Sequence, residues 1–401
     1  MDLEISRLNL TMFWREIMSK NSVPKIRFKN FEKKWMSYLL SEYSTYRRGS
    51  FPQPYGNKEW YDGDNSMPFV QVVDVLENLR LIDDTKQKIS TLAQPMSVFV
   101  PSDSVIVTLQ GSIGRVAITQ YDAYVDRTIL IFEDYNSQTN KEFWAYTIRN
   151  KFEIERRKAP GGTIKTITKE ALSDFKVSIP EYTEQSAIGI LFRTLDDLLS
   201  SYRDNLTNYQ SLKETMLSKM FPKAGQTHPE IRLDGFEEEW ERKSLSEVCT
   251  INSGRDYKHL KNGDIPVYGT GGYMLSVNEK LSDEDAIGIG RKGTIDKPYL
   301  LSAPFWTVDT LFYVTCKVGY DLYYLFLIFQ KVRWKKFDES TGVPSLSKKT
   351  IEKVVSKFPS LPEQQAIGSY FSNLDNLINS HQEKISQLET LKKKLLQNMF
   401  I

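Results

Sequence analysis

The feature that most constrains this chain is that it repeats itself. Residues 24–42 read PKIRFKNFEKKWMSYLLSE and residues 229–247 read PEIRLDGFEEEWERKSLSE. Without a gap, Pro24, Ile26, Arg27, Phe31, Glu32, Trp35, Leu40, Ser41 and Glu42 face Pro229, Ile231, Arg232, Phe236, Glu237, Trp240, Leu245, Ser246 and Glu247. A second match lies near the end of each half. Residues 180–199 read PEYTEQSAIGILFRTLDDLL, and residues 359–378 read PSLPEQQAIGSYFSNLDNLI. Both halves then stop on Met-Phe, at Met220-Phe221 and Met399-Phe400. Such a repeat has to be settled before any local element is assigned, because missing it miscalls the fold. Between the matched ends the halves differ almost completely, and the first is longer. One frame therefore carries two different contents.

The matched ends also announce long helices. From Pro180 to Met220 apolar residues recur in steps of three and four, at Leu191, Leu195, Leu198, Tyr202, Leu206, Tyr209, Leu212, Met216 and Met220. From Pro359 to Met399 the same steps give Ile367, Phe371, Leu374, Ile378, His381, Ile385, Leu388, Leu391, Leu395 and Met399. A proline and an acidic residue at each start suit a helix N-terminus. Neither apolar stripe is satisfied by a lone helix, so the two are expected to pair as an antiparallel coiled coil. About 38 residues at ~1.5 Å each make a rod of roughly 55–60 Å. His381 falls on the seam, as a register residue and not a metal ligand.

At 401 residues, 40% of them apolar and 26% charged, the chain suits two globular domains plus connecting elements. With Lys+Arg 53 against Asp+Glu 51, any nucleic-acid surface must be local. Two cysteines, Cys249 and Cys316, indicate neither a disulfide framework nor a zinc site. No secretory signal opens the sequence, and the longest apolar run, Leu322–Phe329, is far short of a membrane span. The cytoplasm of a prokaryotic cell is the expected compartment.

The middles read as mixed α/β. Short strand-like runs (Ser97–Val100, Ser104–Leu109, Arg115–Thr119, Ile129–Phe132, Ala286–Ile289, Leu311–Thr315) alternate with Gly, Pro, Asp and Asn turns. Helical stretches intervene at Lys141–Lys151 and Tyr320–Phe337. The loops combine cations, small residues, aromatics and hydroxyls, the groups that meet phosphates and base edges. In the first half the DNA-contact candidates are Tyr46, Arg47, Arg48, Ser112, Arg115, Arg156, Arg157, Lys158, Thr163 and Lys165. In the second they are Arg255, Tyr257, Lys258, Tyr268, Thr270, Tyr273, Arg291, Lys292, Arg333, Lys335 and Thr341. Each loop alone reads more readily as turn glycines beside solvated charge; the recurrence of the pattern in both halves reverses that in favour of DNA.

Catalytic motifs are missing. Gly288-Ile289-Gly290-Arg291-Lys292-Gly293 matches the dinucleotide fingerprint in form, but a turn and Pro298 follow where a helix should open. There is no ATP-binding P-loop, no adenine-methylating Asn-Pro-Pro-aromatic run and no nucleophile–histidine arrangement.

The Pro-x-Ile-Arg openings ending in Trp35 and Trp240, the Glu-Gln-x-Ala-Ile-Gly runs at 184–189 and 363–368, and Gly263-Asp264-Ile265-Pro266-Val267-Tyr268-Gly269-Thr270-Gly271-Gly272 resemble the specificity (S) subunits of type I restriction-modification enzymes. The likeness covers nearly all of residues 24–400; the first half lacks the Tyr-Gly-Thr-Gly-Gly loop. The resemblance implies a mixed α/β fold with two target recognition domains, each built on a curved β-sheet and separated by the antiparallel helices. By sequence these are an extension at 1–22, a first domain at 23–179, a first helix at 180–221, a linker at 222–228, a second domain at 229–358 and a second helix at 359–401. Each domain would read half of a bipartite asymmetric DNA site through the major groove. The helices would set the spacing and dock two methylation subunits through Glu184, Gln185, Ile188, Phe192, Glu363, Gln364, Ile367 and Phe371. Motor-nuclease subunits would join for cleavage. S-adenosylmethionine, ATP and magnesium would belong to those partners, and this chain would be no enzyme. Two other classes stay open on the residues themselves: a stand-alone nuclease or methyltransferase, and a coiled-coil adaptor.

Overall fold

The repeated openings and the repeated helix starts are brought together by short strand pairs. In the computed structural model, which describes residues 23–158, 172, 174–223 and 225–401, β1 (Met36–Leu39) pairs antiparallel with β10 (Lys176–Ile179). β11 (Glu241–Ser244) pairs in the same way with β19 (Val355–Phe358). Each pair delivers the chain into a long helix, α3 (Tyr182–Lys219) or α7 (Leu361–Met399). The chain divides into two units, Met1–Tyr202 with Lys384–Ile401, and Arg203–Glu383. The long helices are thus shared between the units by their contacts.

In the first unit α1 (Leu40–Tyr43) turns the chain into β2 (Ser44–Arg48). There follow β3 (Met67–Val70), β4 (Gln87–Ile89), β5 (Val98–Val100), β6 (Val105–Thr108), β7 (Val116–Ile118), β8 (Ala123–Val125), β9 (Ile129–Tyr135) and α2 (Lys141–Lys158). Two four-stranded sheets result, ordered β2-β9-β6-β7 and β4-β3-β8-β5. Strand β6, Val-Ile-Val-Thr, is buried at every position, as a continuous β-branched run in mid-sheet requires. The main core gathers Trp35, Tyr43, Phe132, Phe143, Trp144 and Phe192, and Phe400 closes it by stacking on Phe143 at 5.7 Å.

The second unit has α4 (Leu245–Val248), β12 (Cys249–Ser253), β13 (Asn262–Gly269), β14 (Gly272–Val277), β15 (Ala286–Gly290), β16 (Tyr299–Leu301), β17 (Trp306–Thr307), β18 (Leu311–Cys316), α5 (Leu322–Lys331) and α6 (Lys348–Glu352). Its sheets are ordered β12-β18-β15-β16 and β14-β13-β17. Phe221 closes this core against Tyr324 at 5.4 Å, as Phe400 closes the other. The dinucleotide-like glycines Gly288 and Gly290 lie inside buried β15, so no helix opens after them.

Mixed α/β architecture, curved sheets and antiparallel helices are as the sequence implied. The middles, unlike in sequence, share the fold the resemblance implied for both. Both place the second strand after the frame beside the last strand of the sheet, in the orders β2-β9-β6-β7 and β12-β18-β15-β16. The other sheet of each unit, four-stranded in the first and three-stranded in the second, holds one parallel pair, Val70 beside Val125 and Tyr268 beside Thr307. The pattern differs little from expectation at α2, which runs on to Lys158, and at α5, which stops at Lys331 before a 3-10 turn at Trp334–Phe337. Among the described residues no helix is long and apolar enough to cross a membrane.

Candidate nucleic-acid interface

The Glu-Gln-x-Ala-Ile-Gly motif is the first surprise. In the first unit Arg27 donates Nε and Nη2 to the two carboxylate oxygens of Glu184, each at 2.7 Å, and Trp35 Nε1 adds a bond of 3.2 Å. In the second, Arg232 and Trp240 hold Glu363 in the same fork at 2.8, 2.7 and 3.3 Å. That hydrogen bonding raises the Arg232 pKa from its ordinary value. Gln185 donates to Pro180 O and accepts from the Asn140 amide, both at 3.0 Å. Gln364 does the same with Pro359 O and the Asp321 amide, at 2.8 and 3.1 Å.

Asn140 and Asp321 are in turn the residues that cap α2 and α5, accepting from Phe143 N at 2.9 Å and Tyr324 N at 2.8 Å. Only glycine fits against those caps. A methyl group on Gly189 would lie 2.3 Å from Asn140 Oδ1, and one on Gly368 would lie 2.6 Å from Asp321 Oδ1. Glu184, Gln185, Ile188, Phe192, Glu363, Gln364, Ile367 and Phe371 are all buried. The expectation that they touch partner subunits is therefore corrected. These side chains are consumed by the chain's own fold, because a paired carboxylate and a saturated amide have nothing left to offer.

A second duplicated device was not read from the sequence. Asp196 accepts from Tyr146 and from Lys392, joining α2, α3 and α7 within the first unit. Asp375 accepts from Tyr323 at 2.5 Å and from Lys213 at 2.6 Å, joining α5, α7 and α3 within the second. Burial, then the neighbouring carboxylate, push both tyrosine hydroxyls far above their usual range. The shared Leu-Asp of the repeat was the available signal, but its partners are far off in sequence. His381 sits in the second unit against Tyr209 at 5.2 Å, with Nδ1 on its own helix at Leu377 O.

With the frame accounted for, the loops at one edge of each unit remain. In the second unit three loops join. The Gly293 amide donates to Pro344 O at 2.8 Å, Leu346 N to Arg291 O at 2.9 Å, and Lys292 bridges to Ser345. A methyl on Gly293 would meet Thr270 of the β13–β14 turn at 3.7 Å. Asp338 staples the third loop, accepting from Ser340 N and Ser345 N at 3.0 and 2.9 Å, which lowers its pKa. Lys335 pairs with Asp296 at 2.8 Å and ties the 3-10 turn to the same edge. Arg255, Lys258, Lys292 and Arg333 are exposed, with no side-chain bond or ion pair among the described residues. Thr341 is exposed as well, and Tyr273 is 62% exposed. Tyr257 and Tyr268 are partly buried in the small core beneath, and Arg291 lies over the Phe312 ring at 5.9 Å.

In the first unit the candidate arginines Arg47, Arg48 and Arg115 among the described residues are all engaged. Arg115 donates to Val75 O at 3.4 Å and faces Glu77 at 3.8 Å, which ties the β6–β7 turn to the loop after β3. Ser112 is exposed. Arg47 pairs with Glu133 at 2.6 Å, Arg48 is also engaged, and Tyr46 packs on Phe132. Arg156, Arg157 and Lys158 end α2, but their side chains lie outside the described residues, as do Thr163, Lys165 and residues 1–22.

Sequence reading missed Gln110 and the loop Gln71–Glu77. β3 and β13 occupy the same place, so residues 71–77 stand where Gly269–Gly272 stand in the second unit. The signal was present but short: Gly111-Ser112-Ile113 against Gly293-Thr294-Ile295. Gly111 and Gly293 share a left-handed backbone, φ +69 and +98, which favours glycine.

Comparison with known proteins matches residues 32–208 and 237–390 to the type I restriction modification DNA specificity domain. The MjaVIII specificity subunit of Methanocaldococcus jannaschii is 21% identical over 337 residues, 75% of this chain and 78% of that protein. The EcoprrI specificity subunit of Escherichia coli is 21% identical over 369 residues, 87% of this chain and 89% of that protein. Among solved structures, the S subunit of a type I restriction-modification system from M. genitalium matches with a TM-score of 0.68 at 17% identity, covering 94% of this chain and 99% of that one.

Proposed function

This chain belongs to the type I restriction modification DNA specificity family, as a non-catalytic specificity subunit, and on that premise we propose that each of its two units reads one half of a split, asymmetric DNA site through the major groove. The observation that carries the proposal is the loop edge. The same strand order presents loops at the same place in both units, on one repeated frame, while the chemistry of the loops differs. A shared frame with unlike readers fits an asymmetric bipartite site, since phosphate contacts position and base contacts specify.

Two methylation subunits dock, in this proposal, on the outer faces of the long helices. The buried motif residues are replaced in that role by exposed apolar ones, of which Leu212 and Leu391 occupy equivalent positions at 36% and 44% exposure. The helices, of 38 and 39 residues, set the gap between half-sites. Motor-nuclease subunits complete the cleaving complex. S-adenosylmethionine, ATP and magnesium belong to the partners, and the assembly works in the prokaryotic cytoplasm. Mapping methylated adenines in cells that express this chain with its methylation subunits tests the reading. Two short sequence blocks separated by a fixed unspecified gap are expected; a continuous motif, or none, would overturn it.

A further inference from the structure

The two units can be brought into register residue by residue along their central strands. Thr108 lies opposite Ile129 in β9, and Gly290 lies opposite Leu311 in β18. One residue later Leu109 N donates to Thr128 O, and Arg291 N donates to Thr310 O, both at 2.8 Å. Two residues further on stand the left-handed glycines Gly111 and Gly293, followed by Ser112-Ile113 and Thr294-Ile295. Each glycine touches the neighbouring reading loop: an added methyl on Gly111 would meet Val72 at 3.5 Å, as one on Gly293 would meet Thr270 at 3.7 Å. Turn, hydroxyl and isoleucine are therefore held in common. What changes is the pair of residues before the glycine, Leu109-Gln110 in one unit and Arg291-Lys292 in the other; Leu109 is buried, which leaves Gln110 as the polar group of its pair.

We infer that Gln110 and Lys292 are equivalent base-reading positions, Gln110 selecting an adenine in one half-site and Lys292 a guanine in the other. This rests on the reading of the two units as DNA readers. Gln110 is partly buried and Lys292 exposed, and neither side chain has a hydrogen bond or ion pair among the described residues. A carboxamide carries one donor and one acceptor group, and in the major groove adenine offers the complement, an N7 acceptor beside an N6 donor. An ammonium carries donors only, and guanine offers two acceptors, N7 and O6. The left-handed glycine directly after each residue turns the backbone away. The backbone of Lys292 is held beside Ser345, and its side chain is exposed on that loop edge.

The same methylated-adenine map, made with the whole complex, decides the matter. The wild type first has to give a split motif; a map without one overturns the two-reader reading and this inference with it, whereas a split motif with unmoved variants overturns the inference alone. Given a split motif, Gln110→Ala is expected to relax one adenine position in one half only, with discrimination falling on the order of ten- to a hundredfold. Lys292→Ala is expected to relax one guanine position in the opposite half. Gln110→Lys is expected to move the first position from adenine toward guanine. In each case the untouched half reports that the protein is folded and loaded. Where a variant methylates nothing in cells, competition binding of the purified complex to duplexes with each base at the tested position reads the same preference. Unchanged base preference at every position overturns the inference, as does a Lys292→Ala variant that only flattens the salt dependence of binding, which would make Lys292 a phosphate contact.

Discussion

Glu184 and Glu363 show how a residue that looks like a binding site can be a closure. Arg27 and Glu184 are 4% and 0% exposed, and the tryptophan indole fills a further carboxylate lone pair. Removing one member of such a pair leaves a buried charge without compensation, at a cost of about 3–5 kcal/mol. Glu184→Ala should lower the unfolding free energy of the intact chain by an amount of that order, read as a fall in the urea midpoint at unchanged m. Arg27→Met with Glu184→Leu should recover most of the loss, because two apolar groups of similar size need no counter-charge. An unaltered midpoint in Glu184→Ala, with loss of partner binding alone, would return the residue to the surface role the sequence implied. The sequence could not separate these outcomes. A repeated Glu-Gln looks the same whether its partner is another protein or an arginine 157 positions away. What was legible was the pairing of the repeats: Arg27, Trp35 and Glu184 recur as Arg232, Trp240 and Glu363 because they form one unit of structure.

At the scale of elements, the long helices were legible because a 3.6-residue period over some forty positions is a strong signal, and α3 and α7 start within two residues of the predicted proline starts. That both middles are target recognition domains on curved sheets was implied by the resemblance, but their strand-by-strand correspondence was not legible. Strand pairing such as β6 beside β9 depends on contacts across loops of unequal length, and only Gly111-Ser112-Ile113 and Gly293-Thr294-Ile295 betray it in sequence. The helix caps offer a direct test of how the repeat is built. In Gly368→Ala the new methyl would sit 2.6 Å from the capping oxygen of Asp321 and 3.3 Å from Tyr323 Cβ. Overpacking of this kind costs about 1–3 kcal/mol, with roughly 1 kcal/mol more if the cap to Tyr324 N is lost. Gly271→Ala, where nothing lies within 4 Å, is the control. Thermal unfolding should separate the two clearly; equal melting temperatures would mean that the glycine is not there for the close approach.

For the whole molecule the decisive quantity is charge placement. A net charge of +2 gives little general attraction to a polyanion. Several cations are already spent on carboxylates of the chain itself, Arg27 on Glu184, Arg232 on Glu363 and Lys213 on Asp375 within the fold and Arg47 on Glu133 at its surface. Those left exposed in the second unit include Arg255 and Lys258, on the loop between β12 and β13. Arg255 is anchored by its backbone, its amide on Thr307 O and its carbonyl on the Trp306 indole, so its side chain is free to reach outward. This arrangement separates two contributions that a more basic protein would blur. Phosphate contact supplies affinity that falls with salt, at about 0.9 in log–log slope per phosphate neutralised, and base contact supplies the motif. Arg255→Ala with Lys258→Ala should therefore weaken binding of the complex to all duplexes alike. It should reduce the salt slope by roughly 2, with the methylated motif unchanged. Binding measured from low to moderate salt, alongside the methylation map, distinguishes the cases. A slope that does not change removes these residues from the phosphate path. A motif that loses a base makes one of them a reader, and the division between positioning cations and reading groups would then fail for this unit.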